Sequence, residues 1–539
     1  MATAINNQDA IVPAIDEKPH IDHMEHYDAD GKEVDDVITK SPFEDLPWKK
    51  TWRVFWKAAL MCIFASFSAA ADGFQISMTS NIIANKGFIE TYGTAIDAKT
   101  GGPKLDADIL AAWGGIQSAG QGFGMLTQHF IADRFGRKVA FYTLWVSLVI
   151  AVALESFGRD WRSWLCAKLF SGFGVGSVQF MTGMYGIGQL ASSLALKVMN
   201  DRQPYNYLTP IYTEWAMLGL MAIVYICIPE SPFWCATAGK HDRGRAVIKR
   251  LNGGIEGYDV DYHYDIIKRS VEKEKSYQKE IDGDSHGFVQ ELRNVKEVFI
   301  GVNGFRTLIA FWPACVQQIG GLAVLSNYSS YFAQQAGFGD PFLFSLLLAL
   351  VAIVCTLVEA SLIDLIGRRS LFLLGAVTSW VMCMVVGGLG IMSNRSATVN
   401  RLVLAFSLFW RLGSTLLGNL GWAYVAETGS SRLRAKTAGI AAAGGVCLGL
   451  VFNTSVPYML NNTGANWGLK TAFFFAGIST PFVVASFFLI PDTSRRTAAE
   501  LDEMFRKKVK PWRFRSYVSD AQKALNEERE RGQQAHATA

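Results

Sequence analysis

The stretch "FSLLLALVAIVCTLVEASLI" (344–363) runs for twenty residues with a single charge, Glu359. About 20 apolar residues wound as a helix cross the ~30 Å hydrocarbon core of a bilayer. Comparable runs fall near 56–78, 109–131, 139–157, 164–188, 209–229, 306–335, 370–392, 402–426, 438–460 and 471–490. Inside lipid every backbone amide must be satisfied within its own segment, so such runs are helices and not strands of an open sheet. Buried helices of a large water-soluble protein would show charged outer faces on several of these runs, and those faces are absent. With 50% hydrophobic and only 18% charged residues, the chain reads as an all-α integral membrane protein.

The charges that remain give an orientation. Cations cluster in "PWKKTWRVFWK", before the first run, and at 134–138, 240–306, 368–369, 432–436 and 495–515. Alternate connections, such as "QQAGFGDPF" (334–342) and the region 461–468, carry few. The cation-rich set belongs to the cytoplasm by the positive-inside rule, which puts both ends there and makes the number of spans even. Glycosylation sequons at Asn394 and Asn461 fall on expected outside loops. Residues 1–47 are rich in Asp and Glu, lack an apolar stripe and read as a disordered cytoplasmic tail without a signal-peptide pattern. His20, His23 and His26 are spaced by three, but no further ligand set stands near them, so no metal is expected. The eight cysteines sit singly in or beside apolar runs and suggest packing, not a disulfide framework. No nucleophile–base pair, metal cluster or phosphate loop appears, which argues against an enzyme and against a cofactor. Nothing points to a nucleic-acid partner.

One charged phrase is written twice. Residues 131–138 read "IADRFGRK" and residues 362–369 read "LIDLIGRR". Between them lies a long polar segment, 230–305, whose "VEKEKSYQKEIDGD" reads as a solvated surface helix. The chain therefore divides into a tail (1–47), a helix bundle (48–229), a cytoplasmic loop (230–305), a second bundle (306–491) and a further cytoplasmic tail (492–539). Parallel half-repeats of this kind build secondary transporters whose substrate site lies between the halves near the midplane. In each phrase the acid, Asp133 or Asp364, can pair with a helix N-terminus or with arginines of a neighbouring loop. Arg134 and Arg137, and Arg368 and Arg369, supply the cations. Such pairs can latch the inner face of a rocking transporter.

These residues and several others resemble the sugar porter branch of the major facilitator superfamily, and most of all fungal permeases of the maltose or α-glucoside type. "DRFGRK" and "DLIGRR" match the paired loop motifs, and "PESPFW" (229–234) matches the signature after the sixth span. "QQIGGLAVLSNYSSYF" (317–332) is similar to the seventh-span glutamine motif, "AETGSSRLRAKT" (426–437) to the motif after the tenth span, and "PDTSRRT" (491–497) to that after the last. "VPYMLN" (456–461) and "NWGLKTAFFFAG" (466–477) resemble the disaccharide permeases. The resemblance covers about 50–510. It implies the major facilitator fold: two six-helix halves, nominally twelve spans. It also implies roles. Gln317 and Gln318 would bond sugar hydroxyls, with Gln189, Asn327, Tyr328 and Asn453 as further polar contacts and Trp422 against the sugar's C–H face. An amide both donates and accepts, which suits a polyol. Glu230, Glu427, Arg432 and Arg434 would join the gating loops. Asp72, in "SFSAAADGFQISM", resembles the first-span acid of proton-coupled porters, and Lys168 stands where the family has an arginine opening the fourth span. An acid inside a span is costly and usually functional or paired, so protonation of Asp72 is expected to release Lys168.

The chain also departs from that pattern. Ala323 replaces a seventh-span asparagine, Asn419 replaces a proline before Trp422, and Arg411 lies well inside the tenth span with no evident partner. From Asp133 to Pro229 is 96 residues (229 − 133), whereas Asp364 to Pro491 is 127 (491 − 364), so the first half is 31 short. The loss removes the end of span 4, its loop motif and the start of span 5, and leaves 30 residues, from Lys168 to Lys197, in the space of two spans. That suits one long helix, two clipped ones or a re-entrant pair. Three readings stay open: a plasma-membrane sugar:proton symporter of α-glucosides such as maltose, a non-transporting sensor of the same fold, and an inactive shortened transporter. A sensor would favour a longer tail than 492–539. The partners implied are a small sugar, a proton and the lipid bilayer, and a monomer suffices.

Overall fold

The computed structural model describes residues 26–27, 33–34, 48–96, 101–176, 182–255, 257–282, 296–392, 396–430, 433–461, 463–494, 496 and 498–519. His20, His23, the sequon at Asn394, Arg432 and the connection 177–181 lie outside them, as does the side chain of Asp364. Among the described residues the only strands are two-residue pairs, His26–Tyr27 with Glu33–Val34 and Ala95–Ile96 with Pro103–Lys104. Everything else of regular structure is helical.

The first half comprises α1 (Trp56–Asn81), α2 (Ala107–Phe135), α3 (Arg137–Phe157), α4 (Trp161–Gly176), α5 (Thr182–Arg202) and α6 (Leu208–Cys227). Three polar helices follow: α7 (Pro232–Thr237), α8 (His241–Asn252) and α9 (Val260–Asp282). The second half holds α10 (Gly301–Ile319), α11 (Ser329–Gln335), α12 (Pro341–Ile366), α13 (Arg368–Leu389), α14 (Ala397–Glu427), α15 (Arg434–Leu460) and α16 (Thr471–Leu489), then a short tail helix, α17 (Ala498–Arg506). With α10 and α11 read as one interrupted span, each half has six. Eight of these helices are long and apolar enough to cross a membrane by themselves: α1, α3, α6, α12, α13, α14, α15 and α16. The others, α2, α4, α5 and α10, are shorter or carry more polar side chains. The apolar faces turned outward, such as Leu357, Val358 and Leu365 on α12 and Ile223 and Ile226 on α6, are exposed in the way lipid-facing residues are.

The chain forms two compact units. One consists of Met1–Ala65, Ile131–Phe141 and Val224–His286, and its own core gathers Ala236, Ile248, Tyr264 and Val271 from α7, α8 and α9. The other consists of Ser66–Phe130, Tyr142–Ile223 and Gly287–Ala539 and holds most of both helix bundles. In it the tail helix α17 and Phe514 pack into a cluster with Ile309, Phe372, Leu417 and Tyr424.

The run 164–188 is resolved into two helices. α4 has 16 residues and α5 has 21. At 1.5 Å per residue α5 rises about 31 Å, enough to cross a ~30 Å hydrocarbon core. The described part of α4 runs to Gly176, next to the residues 177–181 that lie outside the described ones.

Small residues explain how α4 holds its place. Gly120 and Gly124 on α2 face Gly172 and Gly176 on α4, each pair spaced by four. A Cβ at Gly172 would lie 2.1 Å from the Gln117 carbonyl oxygen, and one at Gly176 2.2 Å from that of Gln121. Only hydrogen fits, so the two backbones touch along a small-xxx-small seam. α1 and α5 meet the same way at Gly73 and Gly188.

The half-repeat is visible in the turn after each charged phrase. Gly136 has φ 113° and Gly367 has φ 94°, a region that favours glycine. In each case a carboxylate occupies the space a side chain would take: Glu230 beside Gly136 and Asp492 beside Gly367. Glu230 accepts from the backbone N–H of Arg137 (2.9 Å) and Lys138 (3.2 Å) at the start of α3, where a helix N-terminus favours an anion. In the second half Ser494 accepts from Arg368 N–H at 2.8 Å and is itself tied to Asp492 at 2.7 Å.

Candidate functional site

A cavity of about 240 Å³ lies within the larger unit, between helices of both halves. Gln117 and Gln121 of α2, Gln189 of α5, Gln317 and Gln318 of α10, Asn327, Arg411, Asn419 and Trp422 of α14 and Asn453 of α15 all line it. The α10–α11 span breaks here. Gly321 has φ 89°, a π-helical turn follows at Ala323–Asn327, and the Trp410 indole donates to the freed carbonyl of Gly320 at 2.8 Å. The break carries Asn327 to the cavity wall, as interrupted helices do in transporters.

Of the seven expected substrate contacts, six line this cavity: Gln189, Gln317, Gln318, Asn327, Trp422 and Asn453. Gln317 Nε2 donates to the Ser414 carbonyl at 3.3 Å, and Gly418 leaves room for it, since a Cβ there would lie 2.1 Å from Nε2. Asn327 Nδ2 donates to Asn453 Oδ1 at 2.8 Å, and Asn453 Nδ2 donates to Ser118 Oγ at 2.8 Å, which links α15 to α2. Tyr328 stands apart. It lines a smaller neighbouring pocket, and its hydroxyl donates to the Asn453 carbonyl at 2.9 Å. Its geometry is that of a brace.

The Asp72–Lys168 pair expected from the resemblance is not formed. Both side chains are buried, yet they share no ion pair. Lys168 Nζ donates to Thr79 Oγ1 at 2.8 Å and to Gln117 Oε1 at 3.4 Å, and its electrostatic partners are Glu155 of α3 and Glu214 of α6. Gln75, not Asp72, turns toward this cluster: its Nε2 donates to Glu155 Oε1 at 3.1 Å, and Ser171 Oγ donates to its Oε1 at 2.5 Å. The physical reason is helical phase. Asp72 and Gln75 are three residues apart on α1, close to one turn, and still differ by about 60° in direction. Asp72 lies near Tyr185 of α5 instead, and its Oδ1 has no hydrogen-bond partner.

Glu155 and Glu214 were not singled out in the sequence because each sits near the end of an apolar run, where a solvated carboxylate would be unremarkable. Gln117 and Gln121 carried a signal that could have been used, a four-residue spacing inside an apolar helix. Two departures from the family pattern acquire partners. Arg411 donates to Gln189 Oε1 at 3.3 Å, and Asn419 donates to Glu359 Oε2 at 2.8 Å and to Thr356 Oγ1 at 3.0 Å.

The gating residues form two separate groups. In the smaller unit Asp133 pairs with Arg137 at 3.1 Å and accepts the Trp234 indole at its carbonyl (2.9 Å), and Arg134 is exposed. In the larger unit Arg368 pairs with Glu427, Thr493 bonds to both, and Arg369 donates to the carbonyls of Ile490 (3.0 Å) and Phe487 (2.6 Å). Arg434 is exposed beside Gly429.

Two six-helix bundles around a central cavity of amides and an indole define a secondary transporter of the major facilitator superfamily. The solved structures similar to this one agree: the proton:xylose symporter XylE bound to 6-bromo-6-deoxy-D-glucose superposes with a TM-score of 0.61 over 84% of this chain and 99% of that one, at 15% identity. The inward-open XylE from E. coli gives 0.62 over 83% and 99%, at 14% identity.

A model of the family described as "Sugar (and other) transporter" matches residues 183–505, more than half of the chain, and this protein belongs to that family. It is a multi-pass membrane transporter and not an enzyme. Among curated proteins it is similar to the Maltose permease MAL61 of Saccharomyces cerevisiae, 26% identical over 91% of this chain and 82% of that protein. It is also similar to the General alpha-glucoside permease of the same yeast (25%; 86% and 78%) and to the MFS transporter fmqE of Aspergillus fumigatus (24%; 85% and 87%).

Proposed function

We propose that this protein is a sugar:proton symporter that carries α-glucosides by alternating access. The observation that carries the reading is the cavity itself. Neutral amides from both halves converge with an indole, a wall that matches a ring of hydroxyls with partly apolar faces. The names of the yeast relatives support an α-glucoside as the ring. Proton coupling is supported by buried carboxylates beside a buried lysine: Glu155 and Glu214 about Lys168, with Asp72 one turn of α1 away. Intramembrane acids of this kind mark proton relays. The cation-rich loops favour both ends in the cytoplasm, and the plasma membrane is the membrane this reading assigns.

The test is uptake of labelled maltose into proteoliposomes holding the full chain under an imposed pH gradient. Accumulation with alkalinisation of the outer medium is expected. Glu155→Gln is expected to keep maltose exchange and lose gradient-driven accumulation, and Asp72→Asn is measured beside it. Undiminished accumulation in both variants would end the assignment of the proton to this region. The interval from Asp133 to Pro229, 31 residues shorter (127 − 96) than its second-half counterpart, favours a second reading, a chain of this fold that binds sugar without completing the cycle. Saturable maltose binding with no uptake or exchange would select it.

A further inference from the structure

Arg411 is the single charged side chain among the described residues that line the central cavity. It is 7% exposed, in the middle of α14, and its Nε has no hydrogen-bond partner. Its one bond within reach is to a neutral amide, Gln189 Oε1 at 3.3 Å. Among the described residues no carboxylate lies within ion-pairing distance of it. Of the acids on neighbouring helices, Glu359 accepts from Asn419, and Asp72 lies near Tyr185, which is also near Arg411, with no ion pair between Asp72 and Arg411. The groups that interact electrostatically with Arg411 are Tyr185 and Cys355, neither of them a carboxylate.

A guanidinium inside a membrane protein with no carboxylate partner is costly, and such side chains mark solute or ion pathways. A purely structural arginine would carry a carboxylate or carbonyls on both edges of its planar fork. This one lines a cavity otherwise walled by amides, hydroxyls, an indole and apolar side chains, with a single neutral hydrogen-bond partner. The missing anion is therefore to be supplied by what enters the cavity.

We infer that the transported solute carries a carboxylate, and that Arg411 is the group that binds it. The inference rests on the central cavity being the transport site. The amides of Gln317, Gln318 and Asn453 and the ring of Trp422 hold the pyranose, and the guanidinium of Arg411 receives the acid. Arginine suits a carboxylate in particular, through two parallel N–H···O bonds. The substrate class is an acidic glycoside, a glucoside linked to a sugar acid.

The experiment is equilibrium binding to the purified full chain in nanodiscs at neutral pH, with maltose and maltobionate as the probes. The two share an α-linked glucose; the second unit of maltobionate is an open-chain sugar acid where maltose has a reducing ring, so the carboxylate's share is read from the change on substituting Arg411. Maltobionate is expected to bind at least about tenfold more tightly than maltose, the size a charge-assisted bond supports. The ratio is read within each protein, so loss of absolute affinity does not obscure it. Arg411→Gln is expected to bring the ratio to about one, and Arg411→Lys, which keeps a charge without the fork, to retain part of the preference. Equal or tighter binding of maltose by the parent overturns the inference and leaves the sugar-porter reading standing, as does an unchanged ratio in Arg411→Gln. Binding of neither probe overturns both.

Discussion

At the scale of single residues, the cavity separates side chains that touch a solute from those that shape the wall. Gln317 lines the cavity and spends one donor on the Ser414 carbonyl, which leaves its oxygen for a ligand. Tyr328 has its hydroxyl tied to Asn453 O and lines only the smaller pocket. Gln317→Ala is thus expected to weaken sugar binding about tenfold, by loss of one or two hydrogen bonds to hydroxyls. Tyr328→Phe is expected to leave affinity within about twofold and to lower stability by roughly 1 kcal/mol, the worth of one buried bond. Titration calorimetry and thermal unfolding of the two variants check this; the reverse pattern would place Tyr328 in the site and Gln317 in the scaffold. Six of the seven residues expected at the site line the cavity, and they were legible because glutamine, asparagine and tryptophan inside an apolar run stand out. Arg411 stood out as well, but its neighbours depend on how α14 faces α5. The acids around Lys168 were not legible: Glu155, Glu214 and Lys168 lie on three helices, and nothing in the one-dimensional pattern joins them.

At the scale of helices, a seam of glycines sets how closely α2 and α4 approach. Backbone contact at Gly120, Gly124, Gly172 and Gly176 leaves no room for a larger side chain. Gly172→Leu has no room, with the Gln117 carbonyl 2.1 Å from its would-be Cβ, whereas Gly219 on α6 has nothing within 4 Å. Gly172→Leu is expected to abolish the monodisperse peak in size-exclusion chromatography, and Gly219→Leu to retain it. A monodisperse, thermally unshifted Gly172→Leu would show that α4 does not depend on this seam. The lengths of the apolar runs foretold most helices, but not that α4 and α5 seat against glycines on α2 and α1, because which residues meet glycine across the way depends on packing.

At the scale of the molecule, bonds between the two halves of the larger unit gather at one end, where α1 finishes and α2 begins. Asn81 accepts from Ser329 Oγ (2.9 Å) and from Ser330 N–H (3.2 Å), Lys197 pairs with Asp340 (2.7 Å), Tyr458 donates to Asp108 (2.7 Å), and Asn461 donates to the Leu105 carbonyl (2.9 Å). The Arg368–Glu427 cluster, at the far end of α14, joins only second-half elements. The cavity is thereby shut at the end where α1 finishes. If the halves rock to open that end, Lys197 and Asp340 must part on every cycle. With cysteines at both positions, a short thiol-reactive crosslinker is expected to stop uptake and a cleavable version to restore it on reduction. Full uptake by quantitatively crosslinked protein would rule out rocking about this end.

The sequence alone determined the class of this protein, its two-half plan and several of the polar residues that line its cavity. Those properties follow from local rules: about twenty apolar residues make a span, cations mark a side, and an isolated amide in such a span needs a reason. Only the tertiary structure decided which acids attend Lys168, that Asp72 turns away from it, and that Arg411 lines the central cavity. Each of these depends on the rotation of one helix against another, and rotation is set by packing at glycine seams and broken turns, contacts between residues up to hundreds of positions apart.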